Sequence, residues 1–256
     1  MPGTVGPVLL VRDGFPDDPA LDIAVGHALL ERAAAGAIGP TLRVYRPGPT
    51  VAFGRLDALR PGFGAAVAAA RAHGFAPVMR QPGGHAAAYD EGSVCLDDVR
   101  PEAQAIGAAL QARFARAADL FAGALRAVGV DARVGEVPGE YCPGAWTVSA
   151  GGRVKLVGTA QRVVRGGSLL GAVVVVRGGA RVRAVLEDVN AALGLDWDPA
   201  TAGAAEDGVP GLSVAAVERA VIEAYDGAFG PFEPGEIEGV ALARARELSA
   251  RHRLNP

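Results

Sequence analysis

The sequence predicts an α+β fold in which mixed or antiparallel sheets are flanked by helices. Three observations carry this. Short apolar runs with strand-like composition are joined by glycine-rich turns of hairpin length. Amphipathic helices interrupt those runs without the regular alternation that builds a doubly wound parallel sheet. A series of helices closes the chain. The expected division is a main domain over residues 1–180 and a helical segment over 181–256 packed on it.

The elements follow in order. Residues 17–35 read as a helix: Pro19 suits the first turn, and Leu21, Ala24, Val25, Ala28 and Leu29 form an apolar stripe. Gly36, Gly39 and Pro40 stop it. Strands follow at 42–45 and 50–55, separated by Pro47-Gly48-Pro49. An alanine-rich helix at 65–73 ends at Gly74. Strand 76–80 runs into Gly83-Gly84, 86–89 stays extended, and 93–97 is another strand. Residues 102–128 form a long amphipathic helix stopped by Gly129. A strand begins at Arg133. Residues 138–144 make a rigid loop, and 146–148 and 154–157 are short strands joined by a hairpin at 150–153. Residues 159–164 and 169–176 pair across Gly166-Gly167. Helices then occupy about 182–193, 213–229 and 236–251. Glu236 and Glu238 start the last and arginines end it, as the helix dipole favours.

Half of the 256 residues are apolar, a fifth are charged, and the net charge is -3. Without a basic block, nucleic acid and anionic membrane are not expected as partners. The longest glycine-free apolar run, around 172–176, is far short of the roughly 20 residues of a membrane span. The two cysteines, Cys95 and Cys142, are too few for a disulfide framework. Together with the lack of a signal-peptide pattern, they suggest reduced thiols in a cytoplasmic protein.

Three segments carry candidate chemistry. In Arg80-Gln81-Pro82-Gly83-Gly84-His85, adjacent glycines let the backbone approach a ligand, and Arg80 offers a fixed charge. Small residues at 86–88 leave room for a narrow apolar channel. A tight turn with a surface arginine is the bland alternative. In Glu140-Tyr141-Cys142-Pro143-Gly144, a thiol sits in a loop too glycine- and proline-bound to be ordinary core. Cys95, mid-strand among apolar residues, reads as packing. The third segment holds Lys155, the only lysine among 25 basic residues. An ammonium about 4 Å from a thiol contributes on the order of 4 kcal/mol at an effective dielectric near 20, and so favours the thiolate. Gly158 and Ala160 keep the surface beyond it open, and Gln161 is placed to hold a neighbouring loop. No histidine and carboxylate cluster has ligand spacing, so no metal site is expected.

In this order, these segments resemble the cofactor transferase family: lipoate–protein ligases, octanoyltransferases and, more distantly, biotin ligases. The resemblance runs from about residue 20 to 176, and the family's invariant lysine falls on Lys155. Its Arg-x-Ser-Gly-Gly-Gly motif falls on Arg80 to His85, with Pro82 for Ser and His85 for the third Gly. Tyr89 stands where a His is usual, and Leu169-Leu170-Gly171-Ala172 stands where another is found. Cys142, ahead of the lysine strand, is similar to the nucleophile of the octanoyl and lipoyl amidotransferase branch.

The resemblance implies a biotin/lipoate protein ligase-like catalytic domain over 1–180 with a helical C-terminal segment. It implies Cys142 and Lys155 as catalytic residues. The implied substrate-binding residues are Arg80, Gly83, Gly84, His85, Asp90, Gly158, Thr159 and Ala160. The implied reaction moves an octanoyl or lipoyl group through a Cys142 thioester, with Lys155 holding the thiolate and the developing oxyanion. The donor is an acyl carrier protein or a glycine-cleavage H-type protein. The acceptor is a lysine on a lipoyl domain of a 2-oxoacid dehydrogenase. No cofactor is required in that scheme. Two other readings remain open: a lipoate ligase using ATP and Mg, and a non-catalytic acyl-binding protein.

Overall fold

The structure is a computed structural model that describes residues 7–102 and 108–254. In chain order, β1 (Leu9–Val11) leads into α1 (Pro19–Ala34), β2 (Thr41–Tyr45), β3 (Thr50–Phe53) and, after a 3-10 turn at Asp57–Leu59, α2 (Phe63–Ala72). Strands β4 (Ala76–Met79), β5 (Ala87–Tyr89) and β6 (Ser93–Glu102) follow, then α3 (Ala108–Ala127). Next come β7 (Ala132–Val134), β8 (Val148–Ala150), β9 (Val154–Val164) and β10 (Gly166–Val175). The chain closes with α4 (Gly179–Leu193), α5 (Val214–Phe229), β11 (Glu233–Gly235) and α6 (Gly239–His252).

Eight strands form one mixed sheet in the order β11-β1-β2-β6-β10-β9-β8-β7, and β4-β3-β5 form a second. From β2 to β7 every pairing in the large sheet is antiparallel, whereas β1 pairs in parallel with both β2 and β11. Register sets the two faces of the large sheet. Leu42, Val44, Leu96, Leu170 and Val174 face α3 and α5, where Phe121, Leu125 and Tyr225 are buried. Each such side chain contributes roughly 1.5–3 kcal/mol by leaving water. On the other face one row runs Arg43, Asp97, Gly171, Ala160, and the next runs Tyr45, Cys95, Val173, Gly158. That face meets α1 and the small sheet.

The closing helices share these cores. Helix α6 packs on α1 through Leu248, Ala245 and Ala241, against Leu29 and Val25. Helix α4 packs on α2 and the small sheet through Val185, Leu186 and Val189, against Phe53 and Phe75. Helix α5 packs on α3. Side-chain caps open two of the helices. Asp18 accepts from the Leu21 N–H to open α1 (3.2 Å), and Ser213 accepts from Ala216 to open α5 (3.1 Å).

Several boundaries differ from the sequence expectation. The short strands expected at 154–157 and 159–164 are one continuous strand, β9, because Gly158 pairs within the β10 ladder rather than breaking it. Trp146 and Thr147 lie ahead of β8. The Thr147 hydroxyl bonds the Glu140 carboxylate, which draws that segment into the neighbouring loop. The helix expected over 102–128 is described from Ala108 onward, while Glu102 ends β6; residues 103–107 lie outside the described residues. Strands β1 and β11 were not expected; three residues of Glu-Pro-Gly have no alternating pattern to read. Among the described residues no helix is long and apolar enough to cross a membrane.

Candidate active site

Between the inner face of the large sheet and the small sheet lies a cavity of about 440 Å³. Tyr45, Cys95 and Val173 line it from one sheet, and Ala52, Ala88 and Tyr89 from the other. Small residues create the space: Gly26 on α1, Gly158 and Ala160 on β9, and Gly171 on β10 all line it. A Cβ built on Gly171 would find nothing closer than 3.9 Å, so its missing side chain is open cavity.

Cys142 stands at this cavity on the loop between β7 and β8. It is the one non-glycine residue with positive φ (44°) among the described residues, a conformation that costs on the order of 1–3 kcal/mol. Two sets of contacts hold it there. Behind it, Lys155 Nζ donates to the carbonyls of Tyr141 (3.0 Å) and Cys142 (2.7 Å) and pairs with Glu140 Oε2 (2.7 Å). Successive carbonyls in a strand point opposite ways; here the left-handed turn at 142 brings two of them to one ammonium. In front, the His85 backbone N–H donates to Cys142 Sγ (3.2 Å), and Arg80 Nη2 lies 3.9 Å from the sulfur. Arg80 Nη2 also donates to the His85 carbonyl (2.8 Å), tying the donors together.

Glu140 organises the loop from inside. Its side chain is fully buried, and it accepts from Val137 N (3.1 Å), Thr147 Oγ1 (2.8 Å to Oε2) and Lys155. A buried carboxylate is tolerable only when paired and hydrogen-bonded in this way. Cys95 differs from Cys142: it is buried, and burial pushes its thiol well above the usual range.

Arg80, Gly83, Gly84, Cys142, Lys155, Gly158, Thr159 and Ala160 all line the cavity. Two expected binding residues do not. Asp90 turns away, accepting from Gly92 N (2.9 Å) and pairing with Arg181 on α4 (3.1 Å), which makes it a turn residue that anchors α4. The His85 ring bonds Asp57 (2.8 Å), so only its main chain reaches the thiol. The expected contact between Lys155 and the thiolate is also replaced. An ammonium has three protons, and Tyr141 O, Cys142 O and Glu140 take all three. Gln161 does hold a neighbouring element: it accepts from Arg113 (2.8 Å) and donates to Leu110 O (3.1 Å) on α3.

Sequence reading missed several groups at the cavity or directly behind its wall. Arg43, fully buried, donates to Asp97 (3.2 Å) and is bonded to Asp22. Burial raises the Asp22 pKa to about 6 and also raises that of Asp97, which lines the cavity. His27 lines it as well, bonded to Gln81 (2.8 Å) and to His252 of α6 (3.2 Å). Arg43 alternates with Leu42 and Val44 on a strand, and an alternating arginine ordinarily reads as solvent-facing.

Residues 18–193 match the model of the lipoyl protein ligase A/B catalytic domain. The chain belongs to this family. It is 33% identical over 184 residues to an octanoyl-[GcvH]:protein N-octanoyltransferase of Geobacillus kaustophilus, covering 71% of this chain and 60% of that protein. It is 34% identical over 156 residues to the same-named protein of Exiguobacterium sibiricum, covering 60% and 55%. The matched segment thus spans less than two thirds of the length of these relatives. The fold is that of a lipoate-protein ligase A solved with ATP: TM-score 0.75, 23% identity, 96% of this chain and 94% of the other. A bi-partite lipoate protein ligase from Thermoplasma acidophilum superposes with TM-score 0.73 at 22% identity, covering 96% and 92%. The family member described here therefore has the biotin/lipoate ligase-like fold expected from its motifs.

Proposed function

We propose that this chain is a cysteine-dependent acyltransferase that moves an octanoyl or lipoyl group onto a lysine of a lipoyl-domain protein. The observation that supports it most is the setting of Cys142: a left-handed backbone position, at the lip of an apolar slot, with a backbone N–H and a guanidinium directed at the sulfur. An aliphatic chain of this size suits a slot lined by Gly, Ala, Val and Tyr. The names of the relatives pair the octanoyl group with GcvH, which makes octanoylated GcvH the donor to test first.

In this reading the Cys142 thiolate attacks the donor carbonyl. A C–S bond forms and the donor's amide C–N bond breaks, or its thioester C–S bond when an acyl carrier protein is the donor. The thiol proton ends on the leaving amine or thiolate. The acceptor lysine amine then attacks the enzyme thioester; a C–N bond forms, the C–S bond breaks, and the thiol is regenerated. The His85 N–H and Arg80 stabilise negative charge beside the sulfur. Lys155 acts on the backbone of Cys142, fixing where the thiol points.

Octanoyl transfer between purified donor and acceptor proteins, without ATP, tests the proposal. Transfer in its absence supports the thioester route. Product formed only with ATP, Mg and free lipoate makes the chain a ligase, and ligand binding with no product under either condition makes it an acyl-binding protein.

A further inference from the structure

The 3-10 turn at Asp57–Leu59 has an inverted burial pattern. Leu56 is 59% exposed and Leu59 is 80% exposed, while the aspartate between them is fully buried. Packing alone favours the reverse arrangement, because a carboxylate costs far more to desolvate than a leucine. The buried carboxylate has two partners, and both are donors. Oδ2 accepts from the Gly54 N–H (2.9 Å), and Oδ1 accepts from His85 Nδ1 (2.8 Å). The two partner segments lie back to back: a Cβ on Gly54 would fall 1.9 Å from the Gly84 carbonyl oxygen. His85 occupies the place of the motif's third glycine, so at this position a ring is available to be held.

We infer that Asp57 is a positioning residue for Cys142, acting through His85. The carboxylate clamps the His85 ring on one side of the Gly83–His85 turn. The main-chain N–H of the same residue is thereby aimed at Cys142 Sγ on the other side, 3.2 Å away. Arg80 closes the circuit by holding the His85 carbonyl at 2.8 Å. The other charged groups around Cys142 are the Lys155–Glu140 pair behind its carbonyl and Arg80 itself. Removing Asp57 leaves all of these in place and frees the turn together with the Gly54 N–H.

This inference rests on Cys142 being the nucleophile, but its test needs no acyl donor. The rate of Cys142 alkylation by iodoacetamide is measured from pH 5 to 10 by peptide mass. Asp57→Ala removes both acceptors, which an amide would not, because a neutral His85 ring can present Nδ1 as an acceptor. His85→Ala removes the ring, whereas His85→Asn keeps a donor near the Nδ1 position. In Asp57→Ala and His85→Ala the profile moves to higher pH and the rate near pH 7 falls about tenfold, the order expected for one hydrogen bond to a charged group. His85→Asn recovers most of that loss, which a merely structural role would not produce. Profiles of Asp57→Ala and His85→Ala that superpose on the parent overturn the inference, as does His85→Asn behaving like His85→Ala. If Asp57→Ala fails to fold by circular dichroism, the two His85 variants decide alone. Failure of octanoyl transfer leaves these alkylation results standing, so the two readings fail separately.

Discussion

Lys155 Nζ lies 2.7 Å from the carbonyl oxygen of Cys142, so the chain's only lysine grips the backbone of the thiol residue. Its third proton goes to Glu140, which is fully buried. The pair thus sets the geometry of the loop that presents the sulfur.

Breaking that pair is costly. Lys155→Met leaves a buried carboxylate without its cation, and removing one partner of such a pair costs about 3–5 kcal/mol. Chemical denaturation is expected to show that loss. Combined with Glu140→Gln, it is expected to be strongly non-additive, with a coupling of at least about 1 kcal/mol. Additive effects would mean that the two side chains act separately.

A side chain at Gly84 would be strained and would crowd the thiol. The residue's φ is +98°, and a Cβ there would lie 2.7 Å from Arg80 Nη2 and 2.9 Å from Cys142 Sγ. Gly84→Ala is expected to cost on the order of 1–3 kcal/mol in backbone strain and to displace the sulfur from its donors. Thermal melting checks the first effect and the Cys142 alkylation rate the second. A variant with parental stability and thiol reactivity would contradict the geometry.

How much of this was legible in sequence varies with the kind of signal. Helix α1 announces itself through Pro19 and its apolar spacing, α2 through its alanines and the Gly74 stop, and α4 and α5 as stretches between loops rich in proline and glycine. Cys142 and Lys155 stand out by rarity and by the glycines around them. Asp57 and Glu140 did not, because a single acidic residue in a polar loop reads as solvated until the fold buries it. Asp90 misled for the opposite reason: it lies in a motif, yet its partners Gly92 and Arg181 make it a turn anchor. The Arg43 cluster is set by pairing across β2 and β6, a contact between residues more than fifty apart.

Acid stability carries the imprint of His27. Burial lowers its pKa to about 4, and burial also lowers that of His252. The unfolded chain takes up a proton on His27 near the ordinary 6.5, the folded chain only near 4. Stability from this group is therefore full above pH 6.5 and declines toward pH 4, by on the order of 1–2 kcal/mol at pH 5. Asp22, raised to about 6, acts in the opposite sense, since its folded form takes up a proton first. Melting curves of the parent and His27→Gln from pH 7 to 4.5 separate the two. The variant is expected to lose less stability on acidification; parallel curves would contradict the assignment.

The cavity's reach depends on its missing side chains. Gly171 faces open space beside Asp97 and Ala160, so Gly171→Val projects two methyls into the slot. Shortening a slot by a methylene or more changes selectivity about 10–200-fold. The kcat/KM ratio for hexanoyl over octanoyl donors is expected to rise at least about tenfold. An unchanged ratio would place the acyl chain elsewhere.

The most direct measurement is intact-mass analysis of the protein after incubation with octanoylated GcvH and no ATP. The thioester account expects one octanoyl adduct, removed by hydroxylamine, mapped to Cys142 and absent from Cys142→Ser. Full transfer to a lipoyl domain by Cys142→Ser, or an adduct that never forms, would contradict it.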